Sequence, residues 1–132
     1  MDVQDRLAES IRGQLDQEGR LSCVAAFQIA EGLELEPGDI GRAADTLRVK
    51  LNRCQLGLFG YEFGGGRRKL VQAAAVVGAE MAQAIRYRLQ GGVLSCGDAW
   101  AIASALQISK LDIAAAAEAM GIKISACQLG AF

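Results

Sequence analysis

Histidine is absent from all 132 residues. Its absence removes the side chain that most often titrates near neutral pH, and with it the usual Ser-His and Cys-His nucleophile pairs and every histidine-containing metal site. Aromatic residues make up only 5% of the chain and there is a single proline, Pro37. With Ala, Leu and Ile dominating a 52% hydrophobic composition, few aromatics argue against a sheet and for close-packed helices. No apolar run reaches the roughly 20 residues that span a bilayer, because Gln72, Glu80, Gln83 and Arg86 interrupt residues 70–89. The opening Met1-Asp2-Val3-Gln4-Asp5 lacks a basic and then apolar leader, which together with four cysteines points to reduced thiols in a cytoplasm. No nucleophile and base arrangement can be assembled, so no catalytic residue, no enzymatic activity and no cofactor are expected.

What is present is a repeat. Residues 94–132 match residues 21–59 without a gap at a constant offset of 73, and 17 of the 39 aligned positions are identical. Both copies open with Leu-Ser-Cys, pass through Ile29-Ala30 and Ile102-Ala103, reach Asp39-Ile40 and Asp112-Ile113, and close on Cys-Gln-Leu-Gly-x-Phe. The organisation expected is a first repeat over 1–60, a Gly-rich basic hinge over 61–69, and a second repeat over 70–132. About 130 residues suit one domain of two stacked units, burying roughly two thirds of the unfolded surface.

Helical periodicity places a first amphipathic helix over 3–16, with Val3, Leu7, Ile11 and Leu15 at four-residue steps, Asp2 as its cap and Gly19 as its end. Ser22 caps a second helix to about Leu33, with Cys23, Ala26, Phe27 and Ala30 on one face, mirrored by Cys96, Ala99, Trp100 and Ala103 after Ser95. Phe27 and Trp100 read as core. A third helix opens near Pro37 in one copy and at Ser109-x-x-Asp112 in the other. Ile40, Ala43, Ala44 and Leu47 line its inner face, as do Ile113, Ala116, Ala117 and Met120. Short strands follow at Val49-Lys50-Leu51 and Ile122-Lys123-Ile124, the latter after Gly121 as a helix terminator. The longest helix is predicted from about Lys69 to Leu89.

The net charge of −1 conceals a gradient. Residues 1–41 hold three basic groups against nine acidic, and residues 42–69 hold seven (Arg42, Arg48, Lys50, Arg53, Arg67, Arg68, Lys69) against Asp45 and Glu62. A local anion-binding patch in the middle of the chain is therefore compatible with a near-neutral total.

The order Ile29-Ala30-x-x-Leu33-x-Leu35-x-x-x-x-Ile40, repeated as Ile102-Ala103-x-x-Leu106-x-Ile108-x-x-x-x-Ile113, resembles the helix-turn-helix pattern. The strand after the third helix is similar to the start of a winged-helix unit. The match covers about 25 residues in each copy. Glu34 and Gln107 stand where the family has glycine in the tight turn. The resemblance implies DNA binding through the third helix. In copy one the outward positions are Glu36, Gly38, Gly41, Arg42 and Asp45, of which only Arg42 suits guanine while the carboxylates repel phosphate. In copy two they are Ser109, Leu111, Ala114, Ala115 and Glu118, which cannot read base edges. An exposed Leu111, Ala114, Ala115 and Ala119 patch reads instead as an interface to another copy or a partner.

The cysteines lie 31 residues apart in each copy, Cys23 to Cys54 and Cys96 to Cys127. A four-thiolate metal or redox site is one reading, and buried inert thiols, favoured by the absence of a Cys-x-x-Cys clip, the other. Gly57 and Gly130 read as tail turns, and Asp39 and Asp112 as first-turn carboxylates facing the helix dipole. The fold expected is thus all-α with room for short β segments, as tandem helix-turn-helix units in one compact domain. The function expected is a DNA-binding, transcription-regulator-like protein that uses Arg42, Arg48, Lys50, Arg53, Arg67, Arg68 and Lys69, and dimerises. A protein-interaction scaffold on the same fold and a cysteine-based sensor are the alternatives.

Overall fold

Short polar side chains set where the helices begin. In the computed structural model, which describes residues 2–59 and 71–131, Asp2 accepts the Asp5 amide ahead of α1 (Val3–Gly13). Ser22 accepts the Ala25 amide ahead of α2 (Cys23–Leu33). Pro37 occupies the first position of α3 (Pro37–Thr46), where its missing N–H costs nothing, and Asp39 accepts the Glu36 amide at 3.0 Å. Gly78 precedes α4 (Ala79–Tyr87). Ser95 accepts the Asp98 amide ahead of α5 (Cys96–Leu106), and Ser109 that of Asp112 ahead of α6 (Lys110–Ala119). The chain is mostly helical: these six helices are joined by four strands of two or three residues among the described residues.

Each strand pair brackets a helix pair. β1 (Leu21–Ser22) runs parallel to β2 (Leu51–Asn52), and β3 (Val93–Ser95) runs parallel to β4 (Lys123–Ser125), with Leu21 opposite Leu51 and Leu94 opposite Ile124. The expected winged-helix continuation is therefore corrected. After the third helix the strand pairs in parallel with the one before the second helix, Arg53 (φ 50°) or Ala126 (φ 53°) turns the chain just after it, and no antiparallel partner strand for it occurs among the described residues.

The described residues form two compact units. Unit 1 gathers residues 2–54, 59 and 128–131, and unit 2 gathers residues 55–58 and 71–127. The tail of each repeat thus belongs to the unit built on the other repeat. Unit 1 buries Leu7, Ile11, Leu21, Ala26, Ile29, Ile40 and Ala44, and Leu129 joins them. Unit 2 buries Ile85, Leu94, Ala99, Ile102, Ile113 and Ala117, and Leu56 joins them. Burying one leucine side chain is worth about 1.5–3 kcal/mol, so each short tail contributes measurably to its host unit.

The backbone repeats as closely as the sequence. Positive φ occurs in offset pairs at Gly19 and Gly92, Glu34 and Gln107, Arg48 and Gly121, Arg53 and Ala126, and Gly57 and Gly130; among the described residues only Gly91 stands outside the series. A non-glycine residue held there costs roughly 1–2 kcal/mol. Its recurrence with different side chains shows that the turn geometry is imposed by packing rather than by local preference.

Three further expectations are corrected. Helix α1 stops at Gly13, because Asp16 takes the amides of Glu18 and Arg20 at 2.9 Å each and folds 14–20 into a turn. Residues 71–78 are not helical, so in the described part of the helix predicted over 69–89 only α4 forms; the Ala74 amide instead donates to the Ala115 carbonyl at 3.0 Å. Phe27 and Trp100 are half-buried rather than core. No helix among the described residues is long and apolar enough to cross a membrane.

Candidate nucleic-acid interface

The stretch resembling a helix-turn-helix is α2, a turn, and α3. Glu34 ends α2 at φ 57° and ψ 42°, its amide reaching the Ala30 and Glu31 carbonyls, while the Leu35 amide bonds Ala30 at 2.8 Å. A glycine-type turn is thus made without glycine. Gln107 repeats it at φ 56° and ψ 46° in unit 2.

Helix α3 presents a charge-mixed face. Arg42, whose side chain is 73% exposed, lies one turn after Asp39 and is ion-paired to it, and Glu31, Glu34, Glu36 and Asp45 are exposed nearby in sequence. An exposed pair of this kind is worth little in stability, yet it must be broken before Arg42 can make a bidentate base contact. Gly41, expected on the outward face, is buried. An added Cβ would stand 1.7 Å from the Leu129 carbonyl oxygen, so α3 and the tail meet backbone to backbone and only glycine fits.

The remaining basic residues follow α3. Arg48 sits at φ 59°, its amide bonded to Asp45, and the Val49 amide returns to Ala44 at 2.8 Å, closing the helix. The Lys50 carbonyl accepts the Leu21 amide at 2.9 Å, which fixes the backbone of β2 while the Lys50 side chain stays in solvent. Asn52 is buried and donates from Nδ2 to Asp16 at 2.8 Å. Asp16 is held below the usual carboxylate range, first by the Arg20 amide and then by Asn52. Arg48, Lys50 and Arg53 are all exposed, and no carboxylate occurs between Asp45 and residue 59. Three cations are therefore carried on a backbone fixed by strand pairing and by a carboxylate knot. Arg67, Arg68 and Lys69 lie outside the described residues.

Unit 2 does not reproduce this surface. Position 121 is glycine where unit 1 has Arg48, and position 126 is alanine where unit 1 has Arg53. The anticipated patch on α6 is also corrected. Leu111 and Ala119 are exposed, but Ala114 is only 2% exposed, and Ala115 is half-buried beneath the segment that donates to its carbonyl. The unit itself covers Ala114 and part of Ala115, while Leu111 and Ala119 stay open.

Cys23, Cys54 and Cys96 are buried and Cys127 is half-buried, and none of the four is in a disulfide among the described residues. Among the described residues no three His, Cys, Asp or Glu side chains gather as a metal site would require, so the converging thiols that a cysteine-based sensor needs are not found there.

Sequence reasoning missed two features of unit 1: the knot of Asp16 with Asn52, and the close approach of Gly41 to Leu129. The only trace of the second was that the repeat places Ala114 opposite Gly41. No protein-family model matches the chain, and neither a curated protein nor a solved structure matches it.

Proposed function

We propose that the protein consists of tandem helix-turn-helix-type units and binds nucleic acid through its phosphates, using Arg48, Lys50 and Arg53 of the first repeat. The observation that carries this reading is the run of three exposed cations directly after the third helix of unit 1, in a stretch, residues 46–59, that contains no Asp or Glu. The glycine-type turns at Glu34 and Gln107 support the fold assignment. The basic run Arg67-Arg68-Lys69 extends the cationic stretch in sequence. Phosphate contacts position a protein on a duplex without choosing a sequence. Because α3 offers acidic groups and an Arg42 engaged by Asp39, base reading from that helix is not part of the proposal.

Fluorescence anisotropy with two labelled duplexes of unrelated sequence tests it. The two affinities should agree within about threefold, since phosphate contacts carry no base information, and both should fall in the Arg48→Gln, Lys50→Gln, Arg53→Gln variant. Equal binding by that variant would contradict the proposal.

A second reading, a protein-interaction scaffold, is favoured by exposed apolar surface in unit 2. Tyr87 is 90% exposed and Val76 85%, and Leu111 is open as well. Failure to bind either duplex, together with concentration-dependent self-association in sedimentation, would favour this alternative and a homodimer.

A further inference from the structure

A groove in unit 2 stands apart from the cationic run of unit 1 in sequence. This groove of about 640 Å³ runs beside the turn between α5 and α6, lined by Trp100, Ala103, Ser104, Gln107, Ile108, Ser109, Lys110 and Leu111, and by Gln55 from the tail that this unit holds. Its volume falls in the range of roughly 300–1,000 Å³ typical of ligand sites. Lys110 carries its ammonium over the Trp100 ring, 4.5 Å from the centroid. Around that cation the polar lining consists of two hydroxyls and two carboxamides, with no carboxylate.

The repeat supplies an internal comparison. The positions 73 residues earlier than Ser104, Gln107 and Ser109 are Glu31, Glu34 and Glu36, and the position earlier than Lys110 is Pro37. The turn conformation is the same in both units, and the apolar positions remain apolar, with Phe27 for Trp100, Ala30 for Ala103 and Leu35 for Ile108. Four polarity changes therefore point one way on a preserved framework: three carboxylates become neutral hydrogen-bonding groups and a cation is added. A rim of three carboxylates repels an anion. The rim of unit 2 instead offers it one fixed positive charge and the neutral hydrogen-bonding groups of Ser104, Gln107 and Ser109.

We infer that this groove binds a small molecule bearing an oxyanion, a carboxylate or phosphate, with the charged group at Lys110 and an apolar body against Ile108 and Leu111. The Trp100 ring and the α5–α6 turn hold the ammonium at one place on the rim, and a hydrogen bond between two charged groups is stronger than one between neutral groups. The inference does not depend on nucleic-acid binding, because all of its residues lie in unit 2.

Trp100 is the only tryptophan in the chain, so its fluorescence reports this site alone. The full-length protein is titrated with inorganic phosphate and, separately, with acetate, against sodium chloride at matched ionic strength. A saturable change with phosphate or acetate but not chloride is expected, and which of the two binds tighter identifies the preferred oxyanion. Lys110→Met keeps an apolar stem over the ring and removes the charge, and should raise Kd by about tenfold or more, as loss of a charged hydrogen bond does. Ser104→Glu with Gln107→Glu transplants the rim of unit 1 and should do the same without touching the core. Lys123→Met, an exposed lysine elsewhere in unit 2, should change nothing. Circular dichroism establishes that each variant is folded. A signal that does not saturate, that chloride reproduces, or that survives unchanged in Lys110→Met would overturn the inference.

Discussion

Replacing Gly41 with alanine puts two physical effects in opposition, and the structure decides the sign. In the interior of a helix, Gly→Ala ordinarily stabilises by roughly 0.5–1 kcal/mol, because the unfolded chain loses freedom. At Gly41 the new methyl carbon would lie 1.7 Å from the Leu129 carbonyl oxygen and 2.8 Å from its carbonyl carbon, and both are backbone atoms that no rotamer change can move. Either α3 shifts or the tail 128–131 leaves its seat. Overpacking of this kind costs typically about 1–3 kcal/mol. Release of Leu129, which is 4% exposed, would forfeit about 1.5–3 kcal/mol of burial. Subtracting the helix gain leaves a net loss of about 1–2 kcal/mol. The control is Gly32→Ala, also on a helix, where an added Cβ meets nothing within 4 Å and the same substitution should stabilise. Urea unfolding followed by circular dichroism at 222 nm measures both. A Gly41→Ala protein as stable as the parent would refute the placement of the tail against α3.

Arg48 adopts the left-handed conformation that its counterpart Gly121 adopts. Arg48→Gly should therefore stabilise by about 1 kcal/mol, read as a higher urea midpoint, and an unchanged or lower midpoint would count against the assigned turn. Asp16 has its folded pKa depressed by the Arg20 amide and by Asn52, so its contribution is complete above the unfolded value near 3.9 and is lost as pH falls through the lower folded value. The midpoint of the parent should fall on acidification below about pH 4, and that of Asp16→Ala, lower at neutral pH, should fall less; parallel acid limbs would refute the role of the knot.

The helices were legible because their signals are local. Ser22, Ser95 and Ser109 are caps whose partners stand three residues away, and Ile29, Ile40, Ile102 and Ile113 mark the core by period alone. What was not legible depends on distant partners. Residues 71–78 read as helix by composition, yet the Ala74 amide bonds Ala115, a tertiary contact that no window of sequence contains. Ala114 looked exposed because α6 is apolar nearly all round, so that periodicity could not say which side its own unit covers. Glu34, Arg48 and Arg53 hide their left-handed turns behind ordinary side chains, and only their alignment with Gln107, Gly121 and Ala126 across the repeat marks them as one series. Of the basic residues, Arg48, Lys50 and Arg53 are exposed as expected, whereas the pairing of Arg42 with Asp39 follows from a three-residue spacing that helical geometry brings together.

The salt dependence of duplex binding tests the phosphate-contact account most directly. Log affinity against log salt should be a straight line, and removing three phosphate contacts in Arg48→Gln, Lys50→Gln, Arg53→Gln should make its slope shallower by about 3. Parallel lines for parent and variant, or no binding by the parent at low salt, would contradict it.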